Sequence, residues 1–334
     1  MTAENPSRAR IEALDMTKGA LVVIMVIYHS LNYSSQYYLG FKYLSFLPPS
    51  FIFITGFLLT KVYSVRYDAG EPRINRRLIV RGGKLLALFS LLNVAVYLAG
   101  RRDMYGRSLR LGYFFRHGYQ VYVTGSGRFA AFEVLLPIAY LLLVAPLLLW
   151  MNSRRRFLLI PLTVGLLLFC SVADERSDSF VNLSLMSAGV LGMLAGRLPT
   201  DRLNILARYR LVTVLAYCVY FPLGVSRGYI YPIQLLGAIV ALAMIYGISV
   251  RFGRDTWPRR RLIRLGRYSL VSYILQIGIL QVLSRLIGRP APFSTGSAFI
   301  FSATLVLMTV LVELLERSRT RSARVEKLYK AVFA

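Results

Sequence analysis

The histidine at position 29 is the residue whose type and setting most directly suggest chemistry. The chain has two histidines, and His29 lies inside the first long apolar run, eleven residues after Lys18. At about 1.5 Å of helix rise per residue, the imidazole lies about 16 Å along a helix from the lysine, near the middle of a bilayer. A neutral imidazole can accept a proton from a hydroxyl, so His29 is a candidate general base. A histidine that is only hydrogen-bonded in the interior is the alternative.

Glu133 is the one carboxylate well within an apolar run on the predicted outer side of the membrane. It could orient the imidazole of His29, as the carboxylate does in a catalytic triad. A structural ion pair with Arg128, five residues earlier, is the alternative.

Charged residues also lie around the start of the first apolar run. Arg10, Asp15 and Lys18 would stand at the cytoplasmic mouth of a helical bundle. Basic side chains there suit phosphates, because they make charge-assisted hydrogen bonds. A simple orientation signal for the first helix would have the same composition.

Residues 100–128 form a second basic segment, in which six arginines alternate with aromatic residues. This segment falls on the predicted outer side, where arginines are unusual, so we expect it to bind a ligand. The alternative is an interfacial segment that contacts lipid headgroups. The candidate ligand-binding residues are Arg110, Arg116, His117 and Arg128.

The elements that must position these residues are long apolar segments. Hydrophobic residues make up 56% of the 334 residues and the mean hydropathy is +0.55, which is too apolar for an ordinary soluble domain. Unsatisfied backbone is too costly in lipid for open structures, so these runs predict an all-α, polytopic bundle of about ten transmembrane helices. The predicted spans are about 19–37, 44–63, 83–99, 129–151, 157–173, 180–196, 209–226, 230–250, 268–288 and 296–315.

The formal net charge of +26 would suggest nucleic-acid binding in a soluble protein. In a membrane protein the arginines orient helices and contact anionic headgroups, so we expect membrane lipids and no nucleic acid as partners. Cys170 and Cys218 lie in separate apolar runs, without disulfide or metal-ligand spacing, and we expect no metal.

The distribution of Lys and Arg predicts that both termini are cytoplasmic. With ten spans and a cytoplasmic N-terminus, 30 of the 41 Lys and Arg residues fall in inner segments. We therefore predict a single transmembrane domain over residues 1–334, in a bacterial plasma membrane, with a basic cytoplasmic tail at 316–334.

Three stretches carry a family resemblance. Ten residues separate Lys18 from His29, the second span contains Phe51 to Gly56 (FIFITG), and residues 265–273 read LGRYSLVSY. These resemble the Arg-x10-His, Phe-Phe-x-x-Ser-Gly and Leu-Gly-x-x-Ser-Leu-x-x-Tyr-x-x-His motifs of membrane-bound acyltransferases of the acyltransferase 3 type. Heparan-alpha-glucosaminide N-acetyltransferases and glucan succinyltransferases are similar. Lys18 departs from the usual arginine, and Gln276 stands where many members have a second histidine.

The resemblance implies transfer of an acyl group, with acetyl expected, from cytoplasmic acyl-CoA to an extracytoplasmic glycan or glycolipid. Acyl-CoA would be a co-substrate, so no bound cofactor is expected. Arg10 and Lys18 would hold its phosphates, Asp15 belongs to the same predicted donor-binding set, and His29 would act as general base or as an acyl carrier. A transporter or flippase for lipid-linked sugars is the alternative function, a structural subunit is a third, and a homodimer is left open.

The predicted topology has a direct test. A reporter enzyme that works only outside the cytoplasm should be active when fused within residues 174–178, and silent when fused within 254–260, because the basic segments flanking the second site hold it inside. The reverse pattern of reporter activity would contradict the topology.

Overall fold

The structure, a computed structural model, describes residues 12–34, 39–64, 73–100, 110–125, 130–175, 180–199, 202, 205, 208–228, 230–252 and 256–333. The regular secondary structure of these residues is helical throughout. In chain order the helices are α1 (Glu12–Tyr33), α2 (Leu39–Leu44), α3 (Leu47–Leu58), α4 (Arg73–Leu98), α5 (Leu111–Arg116), α6 (Leu135–Arg154), α7 (Arg156–Glu175), α8 (Val181–Ala195), α9 (Arg210–Arg227), α10 (Tyr231–Arg251), α11 (Trp257–Arg267), α12 (Ser269–Ile287), α13 (Thr295–Arg321) and α14 (Ala323–Phe333). A π-helical turn, Leu59–Tyr63, extends α3, and another, Gln120–Thr124, follows α5.

Helices account for all ten predicted spans. Within the described ranges, seven are long and apolar enough to cross a membrane: α1, α4, α6, α7, α10, α12 and α13. The shorter apolar segments Leu47–Tyr63 and Val181–Ala195, together with α9, occupy the other three predicted spans. The prediction of an all-α, polytopic membrane bundle is confirmed, and it follows from the need to satisfy backbone hydrogen bonds within each segment in lipid.

Helix α1 extends beyond the N-terminal end of the predicted first span. Helix α1 begins at Glu12 rather than near residue 19, so Asp15 and Lys18 lie in its first turns. Hydropathy places a boundary where charge ends, whereas the helix continues for as long as its charged residues find partners.

The segment between the spans at 230–250 and 268–288 contains a helix that hydropathy does not reveal. In α11, Ile263, Leu265 and Gly266 are buried, whereas Arg260 and Arg267 are exposed. Such segregation of apolar and charged residues is typical of an amphipathic helix packed on one side, which explains its low mean hydropathy.

The basic tail is helical as far as Phe333. Glu326 of α14 accepts a hydrogen bond from Arg319 at 2.6 Å and pairs with Lys330 at 3.2 Å. These hydrogen bonds hold the pKa of the Glu326 carboxyl at about 2, below its usual range. The basic side chains of the tail are thus partly engaged within the protein.

The helices form two compact units. The first unit contains α1, α11, α12 and most of α13, and the second contains α3 to α8 together with α14. Helices α2, α9, α10 and the last residues of α13 are divided between the two units. The prediction of a single domain over the whole chain stays a prediction.

Glycines allow α3 and α8 to touch through their backbones in the second unit. A Cβ added to Gly56 would lie 1.8 Å from the carbonyl oxygen of Gly189, and one added to Gly192 would lie 2.0 Å from that of Phe53. Small residues promote helix association in lipid because they allow such close approach. Gly56 of the FIFITG stretch therefore has a packing role.

We predict that Gly192→Ala lowers the melting temperature of the purified protein, because its Cβ would collide with backbone that cannot rotate away. Overpacking of this kind costs about 1–3 kcal/mol. The matched control is Gly165→Ala in α7, where an added Cβ meets nothing within 4 Å. The control should be neutral or stabilising, since alanine favours helix more than glycine does. Equal melting temperatures for the two variants would contradict this packing role.

Candidate functional site

Helices α1 and α11 approach each other through two glycines in the first unit. A Cβ on Gly19 would lie 1.9 Å from the carbonyl oxygen of Leu262, and a Cβ on Gly266 would lie 1.8 Å from that of Asp15. Any side chain larger than hydrogen at these positions would push the helices apart. The contact joins two of the motif stretches, the one that contains Lys18 and the one that begins at Leu265.

A charge pair lies at this helix contact. Lys18 Nζ lies 2.8 Å from Asp15 Oδ1, and Arg267 Nε lies 3.7 Å from Asp15 Oδ2. Asp15 is only 3% exposed, so its charge requires these neighbours. Of the three residues predicted to bind the donor, Asp15 and Lys18 are thus partners of each other, while Arg10 lies outside the described residues.

Next to this pair, α11 lines a basic cleft of about 240 Å³. Four guanidinium groups face two carboxylates in the lining, so the cleft carries an excess of positive charge. Arg259 donates to Glu12 at 3.0 Å, and Arg264 pairs with Glu316. The lining residues are Glu12, Arg259, Arg260, Ile263, Arg264, Arg267 and Glu316.

The imidazole of His29 lies close to two tyrosine rings. Its centroid is 5.0 Å from that of Tyr28 in an edge-on arrangement and 6.1 Å from that of Tyr273 on α12. Tyr273 is buried, with 5% of its surface exposed, whereas His29 is half-buried. The third motif stretch therefore meets the candidate base, and its tyrosine limits the positions that the imidazole can take.

Three further polar side chains are buried on the same two helices. Ser30 is 4% exposed, and Ser272 and Gln276 are fully buried. Among the described residues, the two hydroxyl oxygens and both polar atoms of the Gln276 carboxamide find no hydrogen-bond partner. Each unsatisfied buried group costs about 1–3 kcal/mol. Sequence reasoning noted Gln276 only as a departure from a motif and passed over both serines.

Glu133 belongs to the second unit and lies in a turn, before the start of α6 at Leu135. Its placement inside a transmembrane helix is therefore wrong. A buried carboxamide fixes this turn: Asn93 accepts from the Ala131 N–H at 2.6 Å and donates to the Ala131 carbonyl oxygen at 2.9 Å. Its proposed role beside His29 stays a prediction, as does its pairing with Arg128, which lies outside the described residues.

The basic segment 100–128 is partly helical rather than a simple loop. In α5, Phe114 is buried, with its ring 5.5 Å from that of Tyr97. Arg110 and Arg116 are exposed on this anchored element, so they are accessible to a ligand. His117 is half-buried, and its Nδ1 lies 2.8 Å from the carbonyl oxygen of Tyr113.

Comparison with known proteins gives one match. A family model described as an acyltransferase domain matches residues 11–314. No curated protein and no solved structure matches the chain. In the described part of the chain, no group of three or more His, Cys, Asp or Glu side chains could hold a metal ion.

The Asp15–Lys18 pair predicts coupled effects of mutation. Lys18→Met alone should lower the melting temperature, because it removes the counter-charge that lies 2.8 Å from a buried carboxylate. Adding Asp15→Asn should recover part of that loss, with a coupling of about 0.5–3 kcal/mol between the two sites. Lys18→Arg is the matched control, since it keeps the charge. If the stability losses of the two single variants simply added up in the double variant, the ion pair would not contribute to the stability of the fold.

Proposed function

Because this chain belongs to the acyltransferase 3 family, we propose that it transfers an acyl group from cytoplasmic acyl-CoA to a hydroxyl or amine of an extracytoplasmic glycan or glycolipid. Acetyl is the acyl group that we expect. The observation that carries the proposal is the contact of His29 on α1 with Tyr273 on α12. This contact brings a motif stretch near the start of the chain and a motif stretch near its end next to the same candidate base.

The donor's phosphates are assigned to the basic cleft of α11 and the neighbouring Lys18. Guanidinium groups bind phosphate oxygens in bidentate fashion and stay charged, which suits a nucleotide carrier. Arg260 is exposed on α11, and Arg259 is held in place by Glu12. From this end of α1 the thioester arm would extend along the helix toward His29.

In the proposed mechanism His29 acts as general base. Its neutral imidazole takes the proton of the acceptor O–H or N–H while the acceptor oxygen or nitrogen attacks the thioester carbonyl carbon. The tetrahedral intermediate collapses, the carbon–sulfur bond breaks, and the departing thiolate takes the proton back from the imidazolium. The products are the acylated acceptor and free coenzyme A thiol, and His29 is neutral again.

The acceptor is assigned to α5 and its flanking residues in the second unit. Arg110 and Arg116 offer exposed charge, and Phe115 and Tyr119 offer exposed aromatic surface, each 64% exposed. Aromatic faces and guanidinium groups together suit sugars that carry hydroxyl or acidic substituents. Phe114 anchors the element, so these side chains project from a fixed support.

We predict that His29→Gln abolishes transfer while the protein inserts and folds normally. Glutamine keeps much of the shape and hydrogen bonding of histidine but cannot take the proton. General bases contribute about 10²–10⁴-fold, so the rate of acetyl transfer should fall on that scale. In the wild type, the rate should rise with pH as the imidazole loses its proton, and then level off.

Binding of coenzyme A to His29→Gln, measured by calorimetry in detergent, is the control and should be unchanged. A His29→Gln protein that keeps more than about a tenth of wild-type transfer would exclude His29 as the essential base.

A second prediction concerns α5. The double change Arg110→Ala with Arg116→Ala should raise the KM for the acceptor and leave coenzyme A affinity unchanged. The matched control is Arg154→Ala with Arg155→Ala, two exposed arginines at the far end of α6. If the double variant lost both donor binding and acceptor binding, or if it lost neither, the segment would be one that only contacts lipid.

A further inference from the structure

Unpaired polar atoms lie near His29 and Tyr273 along α1 and α12 in the first unit. Ser30 follows His29 on α1, and Ser272 and Gln276 flank Tyr273 on α12. All three side chains are buried, and their polar atoms find no hydrogen-bond partner among the residues that the structure describes.

The contact of Tyr273 with His29 relates the level of these residues on α12 to that of His29 on α1. Gly266 contacts Asp15 and Gly19, and further along both chains Tyr273 reaches His29, so α1 and α12 run in parallel. Gln276 is three residues beyond Tyr273 on the same helix, a rise of about 4.5 Å, and Tyr273 contacts His29. Ser272 and Gln276 are four residues apart and share one face of α12.

Other buried carboxamides of this protein provide a comparison, because most of their polar atoms have hydrogen-bond partners. Asn93 donates to the carbonyl oxygens of Phe89 and Ala131 and accepts from the Ala131 N–H. Asn182 lies within donating distance of the carbonyl oxygens of Val121 and Tyr122. Asn152 leaves one oxygen unpaired, but it is two residues from the end of α6. Gln276 differs from these because both of its polar atoms are unpaired in the middle of a membrane-spanning helix.

We propose that Gln276, with the hydroxyls of Ser30 and Ser272, forms a substrate-binding subsite next to His29. The subsite takes a group that both donates and accepts hydrogen bonds, because the carboxamide offers an N–H and a carbonyl oxygen side by side. Two substrates of the proposed reaction carry such groups: the pantetheine arm of the donor has secondary amides, and a sugar acceptor has hydroxyls. The inference rests on the proposed function and assigns a specificity-determining residue to it.

The test compares Gln276→Leu with the wild type in three measurements. Without ligand, its melting temperature should be unchanged or higher, because leucine removes two unpaired polar atoms from an apolar helix. Coenzyme A affinity should fall by about two- to tenfold if the subsite holds the pantetheine amide, which is the size of one net hydrogen bond. If it holds the acceptor hydroxyl, the acceptor KM should rise by that factor instead.

Two variants serve as controls. Gln281→Leu makes the same change five residues later, on another face of α12, and should alter none of the three measurements. Gln276→His keeps one donor and one acceptor and should retain binding within a few-fold. A Gln276→Leu protein that melts several degrees lower, with donor affinity and acceptor KM unchanged, would overturn the subsite and make Gln276 a structural residue. Failure of the proposed function would look different, since the wild type itself would neither bind coenzyme A nor transfer.

Discussion

The backbone contact between α1 and α11 is the constraint on which the rest of the first unit depends. Gly19 and Gly266 let the two helices touch without intervening side chains, and this contact fixes the height of α12 relative to α1. Asp15 is buried by the same contact and needs Lys18 and Arg267 as counter-charges. One close approach therefore explains why charged residues lie at one end of α1 and why Tyr273 meets His29 further along.

Much of the fold could be predicted from the sequence, because the bilayer leaves few choices. A long apolar run must form a helix in lipid, and a described helix overlaps each of the ten predicted spans. Helix α11 escaped prediction because its arginines lower the mean hydropathy, although Ile263 and Leu265 give it a buried side. The sequence places Glu133 in a helix because apolar residues surround it. In the structure the carboxamide of Asn93 binds the preceding backbone, and α6 begins only after Glu133.

The residues of the candidate site likewise differ in whether the sequence alone can predict them. His29 could be found from the sequence, since an ionisable group in a membrane span is rare whatever its partners. The pairing of Lys18 with Asp15, and the unsatisfied carboxamide of Gln276, depend on which side chains the tertiary contacts bring near. No pattern of spacing distinguishes a glutamine that is paired in the interior from one that is not.

The proposed reaction breaks a thioester and moves its acyl group, and both events can be followed in a single experiment. Purified protein is placed in vesicles with a membrane glycolipid extract and acetyl-CoA labelled in the acetyl group. We expect free coenzyme A thiol to be released in step with the appearance of label on glycolipid. Intact acetyl-CoA and unlabelled glycolipid, together with movement of lipid-linked sugar across the vesicle membrane, would contradict the proposed function and indicate a transporter.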